Sequence, residues 1–388
     1  MHGTEGKRMA GLIALLATAL VFLLPSGAAS APSARGQGGG DAHVRVPSGF
    51  LGVLSGPTPF DSEDATKMAR TRIRTVRISL PWYAAQRRRG AFTWEPSDTM
   101  IARMAAEGIT VLPTLAGTPR WVAGKPTTPP VADQEAKDAW QTFVTAVVRR
   151  YGRDGVFWRS DAGEPSPFQA QCGCDAPPAP ITAVQIWNEP NLRKYFTPIR
   201  SAKRYAELVE LSHSAIDEAG RRVKLVLGGL SDGGDPGEKG ATSYLRKLYR
   251  VPGVKESFDA VAIHPYARNL RNLRTVMSEF RRMMRKHGDG RTPLWITEIG
   301  WGSQHPNRYG HDKGPGGQRR MLRRAMSLIA RKRLSWRVEH AYWFFWRDPP
   351  KTSTHADCSF CTSAGLLWNS GHPKPAYKAY ARLLKRPR

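Results

Sequence analysis

Short apolar runs alternate with longer amphipathic stretches from Gly49 to the end of the chain, and the two kinds of segment have different periods. Gly49–Leu54, Arg74–Ser79, Gly108–Leu115 and Ile181–Trp187 are too short for helices and rich in apolar and β-branched residues, so they predict buried strands. Val223–Leu230, Ala260–His264, Pro293–Thr297 and His340–Phe345 continue the series. Between them, apolar residues return at helical spacing in Asp61–Arg70, Ser97–Glu107, Gln134–Tyr151 and Ala202–Ala219. The same spacing recurs in Tyr244–Tyr249, Leu270–His287, Gly317–Lys332 and Ala376–Leu384. Eight strands, each followed by a helix, predict an α/β fold of the (β/α)8 TIM-barrel type. A doubly wound open sheet is the rival. It would need a phosphate-cradling glycine loop after the first strand, and Gly52-Val53-Leu54-Ser55-Gly56-Pro57 does not make one. With no internal repeat and no sign of a second unit, residues 46–388 are expected to form one barrel domain.

Composition changes this picture little. Of 388 residues, 40% are hydrophobic and 23% charged, ordinary values for a chain with a sizeable core. The N-terminus adds an address. Basic Lys7 and Arg8, the apolar run Met9–Leu24 and the small residues Ala29-Ser30-Ala31 read as a secretory signal over residues 1–31. A flexible linker over 32–45 follows. The apolar run is shorter than the ~20 residues a spanning helix needs, so no transmembrane anchor is expected after cleavage and the mature chain should be extracellular.

Net charge is +27, falling to about +26 without the signal because Lys7 and Arg8 outweigh Glu5 by one. Such a balance suits a polyanionic partner: an acidic glycan, an anionic cell wall or nucleic acid. Yet runs such as Arg281-Arg282-Met283-Met284-Arg285-Lys286 and Arg331-Lys332-Arg333 lie in helical patterns, where charge usually marks a solvated face. No nucleic-acid motif accompanies them, so nucleic acid is not the expected partner.

The chemistry concentrates at predicted strand ends, where a barrel of this kind places its active site. Ile186-Trp187-Asn188-Glu189-Pro190-Asn191 sets a glutamate just past the fourth strand, and Ile296-Thr297-Glu298-Ile299-Gly300-Trp301 sets another at the end of the seventh. Cleaving an acetal takes a proton for the leaving oxygen, and a nucleophile or base on the other side of the sugar. Two carboxyl groups can supply both. A single glutamate could equally cap a helix or pair with an arginine. Two of them, each beside a tryptophan on strands four and seven, are harder to assign to structure.

These motifs resemble glycoside hydrolase clan A over nearly the whole mature chain, with WNEPN closest to family 39 and also similar to family 5. The resemblance implies a retaining hydrolase of O-glycosidic bonds in a poly- or oligosaccharide, with Glu189 as acid/base and Glu298 as nucleophile. Their carboxyl groups should then lie ~5–5.5 Å apart. It further implies that Arg77 bonds the nucleophile, that Asn188 binds the sugar 2-hydroxyl, and that Tyr266 bonds the nucleophile while His264 lines the site. Trp346 would floor the reacting sugar. Arg77 could instead be an ordinary ion-pair residue, and His264 a core histidine. The third strand lacks the polar residue some family 5 enzymes place there, which favours family 39 over cellulase-like activity.

Trp82, Trp121, Trp187 and Trp301 also fall near strand ends and are candidate sugar-stacking walls, although aromatics are more often core. Four cysteines in an exported chain suggest two disulfides, with three connectivities open. Cys172 and Cys174 precede the fourth strand, whereas Cys358 and Cys361 follow the eighth. The two pairs should sit at opposite ends of the barrel, which favours local Cys358–Cys361 and Cys172–Cys174 bonds. No metal-binding spacing occurs, and the expected chemistry calls for no cofactor. The alternative function is a catalytically silent carbohydrate- or cell-wall-binding barrel that uses its basic surface.

Overall fold

Every strand pairs with its neighbours in parallel. A parallel pair needs a long crossover, and successive crossovers cover the sheet with helices. The computed structural model describes residues 46–385 apart from 162, 199, 221, 233–239, 307–309, 351–357 and 359. The signal segment 1–31 and the linker 32–45 that follows it lie outside the described residues.

The strands are β1 (Leu51–Leu54), β2 (Thr75–Pro81), β3 (Thr110–Ala116), β4 (Ala183–Ile186) and β5 (Lys224–Leu227). They continue as β6 (Leu230–Ser231), β7 (Val261–His264), β8 (Leu294–Ile299) and β9 (Val338–Trp343). Helices α1 (Ser62–Arg70), α2 (Trp82–Ala85), α3 (Glu95–Ala106), α4 (Gln134–Tyr151) and α5 (Pro167–Cys172) fall in the first half. The second half holds α6 (Ala202–Glu218), α7 (Ala241–Leu248), α8 (Leu270–Lys286), α9 (Gly314–Trp336) and α10 (Pro375–Leu384). The fold is the expected α/β barrel type. The short helices α2 and α5 were not anticipated.

The strand count of nine reconciles with eight at Gly228 and Gly229. β5 pairs with β4, while β6 pairs with β7 through Leu230↔Ile263 and Ser231↔His264. An isolated bridge joins Val226 to Ala260, and the Leu227 amide donates to the Ala260 carbonyl at 3.0 Å. β5 and β6 are therefore two halves of one strand, broken where two glycines intervene. At the other seam β1 pairs with β9, Leu51 opposite Ala341 and Val53 opposite Trp343.

Alternation decides what each strand contributes. Val184 and Ile186 of β4 join the large core between barrel and helices. Ala183 belongs instead to a second cluster with Leu112, Val226, Ala260, Ala262, Trp295 and Tyr342, which fills the barrel interior. Residues of the inner set near the strand ends are polar: Arg77, Gln185, His264 and Thr297 are all buried. The helices start on side-chain caps: Asp61 with Asp64 in a capping box at α1, Asp133 at α4, Ser201 at α6 and Asn269 at α8.

One charged run was misread in part. Arg282, Arg285 and Lys286 are exposed, but Arg281 is buried and donates to the carbonyls of Gly290 and Thr292 at 2.5 and 2.7 Å. It closes the turn into β8 rather than facing water. Both local disulfides are present, with Cα separations of 5.2 Å for Cys172–Cys174 and 5.4 Å for Cys358–Cys361. Among the described residues no helix is long and apolar enough to cross a membrane.

Candidate active site

Two backbone devices aim the glutamates. After β4 the chain turns through Trp187 (φ 68°) and Glu189 (φ 43°). Such left-handed conformations cost non-glycine residues energy and persist only where surroundings enforce them. Pro190 then prevents an ordinary helical start at Glu189. In β8 the register against β9 shifts between Ile296 and Ile299. Regular alternation would send Thr297 and Glu298 to opposite sides. The irregularity lets both reach the site, as their bonds to His264 and Arg77 require.

Glu298 is held at both oxygens. Arg77 Nη1 donates to Oε1 at 2.7 Å, and the Tyr266 hydroxyl donates to Oε2 at 2.7 Å. Arg77 also donates through Nη2 to Asn188 Oδ1 at 2.8 Å and through Nε to Gln185 Oε1 at 2.6 Å. With Oδ1 engaged, Asn188 presents its amide N–H groups as the remaining donors. Glu189 Oε1 lies 2.8 Å from His264 Nδ1, and His264 Nε2 lies 3.0 Å from Thr297 Oγ1. Thus Arg77, Asn188, Glu189, His264, Tyr266 and Glu298 all converge.

The environments separate the two carboxyl groups. Burial pushes Glu189 up, reinforced by the charge of Glu298 and opposed by His264 and Arg77, and its net pKa is raised. Burial also pushes Glu298 up, but His264, Arg77 and the Tyr266 hydrogen bond outweigh it and the net shift is downward. Burial and the adjacent Glu298 hold the Tyr266 phenol well above its usual range, so it stays a donor. One carboxyl is poised to keep a proton and the other to lose it.

A carboxylate oxygen of Glu189, an imidazole nitrogen of His264 and a carboxylate oxygen of Glu298 lie within 4.8 Å of one another. Their donor types could suit a divalent cation. Here they are committed to one another and to the Arg77 guanidinium, the arrangement of an acid–base pair.

The site opens into a cavity of about 450 Å³ lined by Arg77, Asn188 and Glu298, with walls that include Tyr83, Trp187, Tyr195, Phe344 and Phe345. Four indoles do not serve as expected. Trp346 is buried and donates to Asp64 at 2.6 Å beside Tyr377 of α10, so it does not floor the site. The Phe344 and Phe345 rings line the cavity instead. Trp82 is core, packed on Trp140 and Phe143 and donating to Gln86. Trp301 is core as well, donating to the Ala267 carbonyl near Trp343. Trp121 is half-buried beneath Arg89, and Trp187 alone of the four named walls lines the cavity.

Other participants escaped the sequence reading. Gln185 and Thr297 were detectable in principle as polar residues inside apolar strands. Phe360, next to the disulfide-bonded Cys361, places its ring 5.3 Å from that of Tyr266. No local pattern announces that contact.

An α/β barrel with two differently tuned carboxyls at its strand ends defines an acetal-cleaving class of site. Comparison with known proteins agrees. Residues 162–380 match the model of the glycosyl hydrolase catalytic core. The chain belongs to that family. No curated protein matches it. Among solved structures, a family 39 glycoside hydrolase from the gut symbiont Bacteroides cellulosilyticus WH2 is similar, at 19% identity and a TM-score of 0.62, covering 86% of this chain and 63% of that one. An exo-β-1,4-mannosidase from Opitutaceae bacterium strain TAV5 aligns at 13% identity and 0.59, covering 87% and 61%. A monomeric β-xylosidase from Caulobacter crescentus CB15 aligns at 18% identity and 0.58, covering 88% and 69%. The chain thus spans less than two thirds of the first two, and at these identities the likeness concerns the fold.

Proposed function

We propose that this protein is a secreted retaining glycoside hydrolase that cleaves β-linked poly- or oligosaccharides by double displacement. The observation that carries the reading is the pair itself: Glu189 and Glu298 oxygens within 4.8 Å, with opposite pKa shifts. Inverting enzymes hold their carboxyls ~6.5–9.5 Å apart to admit a water, whereas retaining ones need ~5–5.5 Å for direct attack. In the first step a Glu298 oxygen bonds to the anomeric carbon while the glycosidic C–O bond breaks. The leaving oxygen takes both electrons of that bond and the proton of Glu189. In the second, Glu189 removes a proton from water, the hydroxyl bonds to the anomeric carbon, and the bond to Glu298 breaks.

The expected result is that Glu298→Gln abolishes turnover. Glu189→Ala should still accept activated aryl glycosides and regain rate with azide, yielding a glycosyl azide of unchanged anomeric configuration. Retained turnover in Glu298→Gln would overturn the reading, whereas a wild type that cleaves no member of a panel of aryl glycosides would revive the silent binding barrel.

The substrate in this reading is acidic. Loops following the strands expose Arg87, Arg88, Arg89, Arg120, Lys125, Arg193, Lys194 and Arg268, against exposed Asp133 and Asp232. Both of those acids accept backbone bonds at helix starts. On the opposite face Asp154, Asp161, Glu164, Asp175, Glu256 and Asp259 dilute the arginines. The signal pattern and the two disulfides fit an exported enzyme.

A further inference from the structure

Gln185 sits at the centre of the site, fully buried, touching neither catalytic glutamate. Its amide makes four bonds. Oε1 accepts from Arg77 Nε at 2.6 Å and Thr114 Oγ1 at 3.2 Å, while Nε2 donates to the Leu227 carbonyl at 3.1 Å and to Thr297 Oγ1 at 3.2 Å. Its orientation is fixed from both ends, because a guanidinium can only donate and a carbonyl can only accept.

The consequence travels outward. Thr297 Oγ1 accepts from Gln185, and Gln185 Nε2 offers no lone pair in return. The one acceptor left for the Thr297 hydroxyl proton among its bonded partners is His264 Nε2, 3.0 Å away. In its neutral form this imidazole carries a single N–H, and the direction that follows is that of the neutral ring. With Nε2 accepting, that hydrogen is on Nδ1, which donates to Glu189 Oε1 at 2.8 Å. Oε1 is then an acceptor in the protonated acid, and the transferable proton occupies Oε2. That oxygen has no hydrogen-bond partner among the described residues.

Resting on the glycosidase reading above, we infer that Gln185 is a positioning residue that sets the direction of the chain Arg77→Gln185→Thr297→His264→Glu189. By doing so it keeps the acid's proton on Oε2, where the leaving oxygen can take it. The same arginine that steadies the nucleophile orients the chain serving the acid.

Nitrogen NMR of histidine-labelled protein reads the chain directly, with activity as a separate measurement. In the wild type, His264 should carry its hydrogen on Nδ1. Gln185→Glu replaces the donor facing Thr297 by an acceptor, so the Thr297 hydroxyl turns back toward it and His264 becomes the Nε2–H tautomer. The rate on alkyl glycosides, which need the acid, should fall about tenfold or more, while nitrophenyl glycosides change little. Thr297→Val should lose the fixed tautomer and show the same leaving-group dependence, and Thr297→Ser should restore both. This pair covers the case in which Gln185→Glu does not fold.

An Nε2–H tautomer in the wild type, or equal losses on alkyl and nitrophenyl glycosides in these variants, overturns the inference. Neither result touches the hydrolase reading. A wild type inert on every glycoside but with an Nδ1–H His264 would fail that reading and leave the chain's direction standing.

Discussion

Glu298 works as an anion because three neighbours overcome its burial, and Tyr266 is the one that can be removed without unpairing a charge. Tyr266→Phe deletes one hydrogen bond to the carboxylate and leaves the Arg77 contact at 2.7 Å. The sign follows from the bond: a donor that favours the ionised form lowers the pKa, so its loss raises it. The acid limb of kcat/KM should move to higher pH, and the rate should fall about tenfold or more, as a bond to a charged group is worth ~1.5–3 kcal/mol. A pH–rate profile with an unmoved acid limb would contradict this. At this scale the sequence was legible where a motif fixed both residue and place. Arg77, Asn188, Glu189, His264, Tyr266 and Glu298 come together as their strand ends implied. The tryptophans were not, since an indole at a strand end fits between barrel and helix as well as over a sugar. Trp346 follows its N–H to Asp64 rather than the cavity.

Elements were legible in kind and order and less so at their breaks. The fifth strand reads as one run, Val223–Leu230, yet it is interrupted at Gly228 and Gly229 because both approach the site too closely for a side chain. A Cβ on Gly228 would lie 2.9 Å from Pro190 Cδ, and one on Gly229 would overlap the His264 imidazole. Gly229→Ala should therefore shift His264 away from Glu189, cutting activity by more than tenfold and destabilising the barrel by about 1–3 kcal/mol. Thermal unfolding and kinetics together check it. Full activity would mean His264 has another place to go. Helix α9 starts at Gly314, earlier than its apolar pattern suggests, because first-turn amides need no intrahelical partner and so tolerate Pro315. The irregularity in β8 has no sequence signal beyond two consecutive polar residues, Thr297 and Glu298. Reading those as both inward would have required abandoning strict alternation.

For the whole molecule, the sequence established a large positive charge and the alternation assigned each loop to one end of the barrel, but which basic residues stand exposed there was left open, because exposure depends on packing. The sorting is uneven, and it makes a kinetic prediction. Cations on the strand-end loops, among them Lys125 beside the cavity residues Pro126 and Thr127, raise the local concentration of an anionic substrate and speed its capture. Arg89 contributes less than its neighbours, being paired with Glu135. Such steering works through solvent, where the Debye length shrinks from ~10 Å at 0.1 M salt to ~3 Å at 1 M. For a carboxylated or sulfated oligosaccharide, kcat/KM should drop steeply with added sodium chloride while kcat holds. For a neutral aryl glycoside, both should stay flat. Reversing Arg88, Arg120 and Lys125 to glutamate should reproduce the salt effect at low ionic strength and spare the neutral substrate. The same three-site reversal at Arg72, Arg222 and Arg291, exposed on the far face, should do much less. Equal effects from the two sets would assign the charge to solvation of the surface as a whole, since only a field centred on the strand ends can tell one end of the barrel from the other.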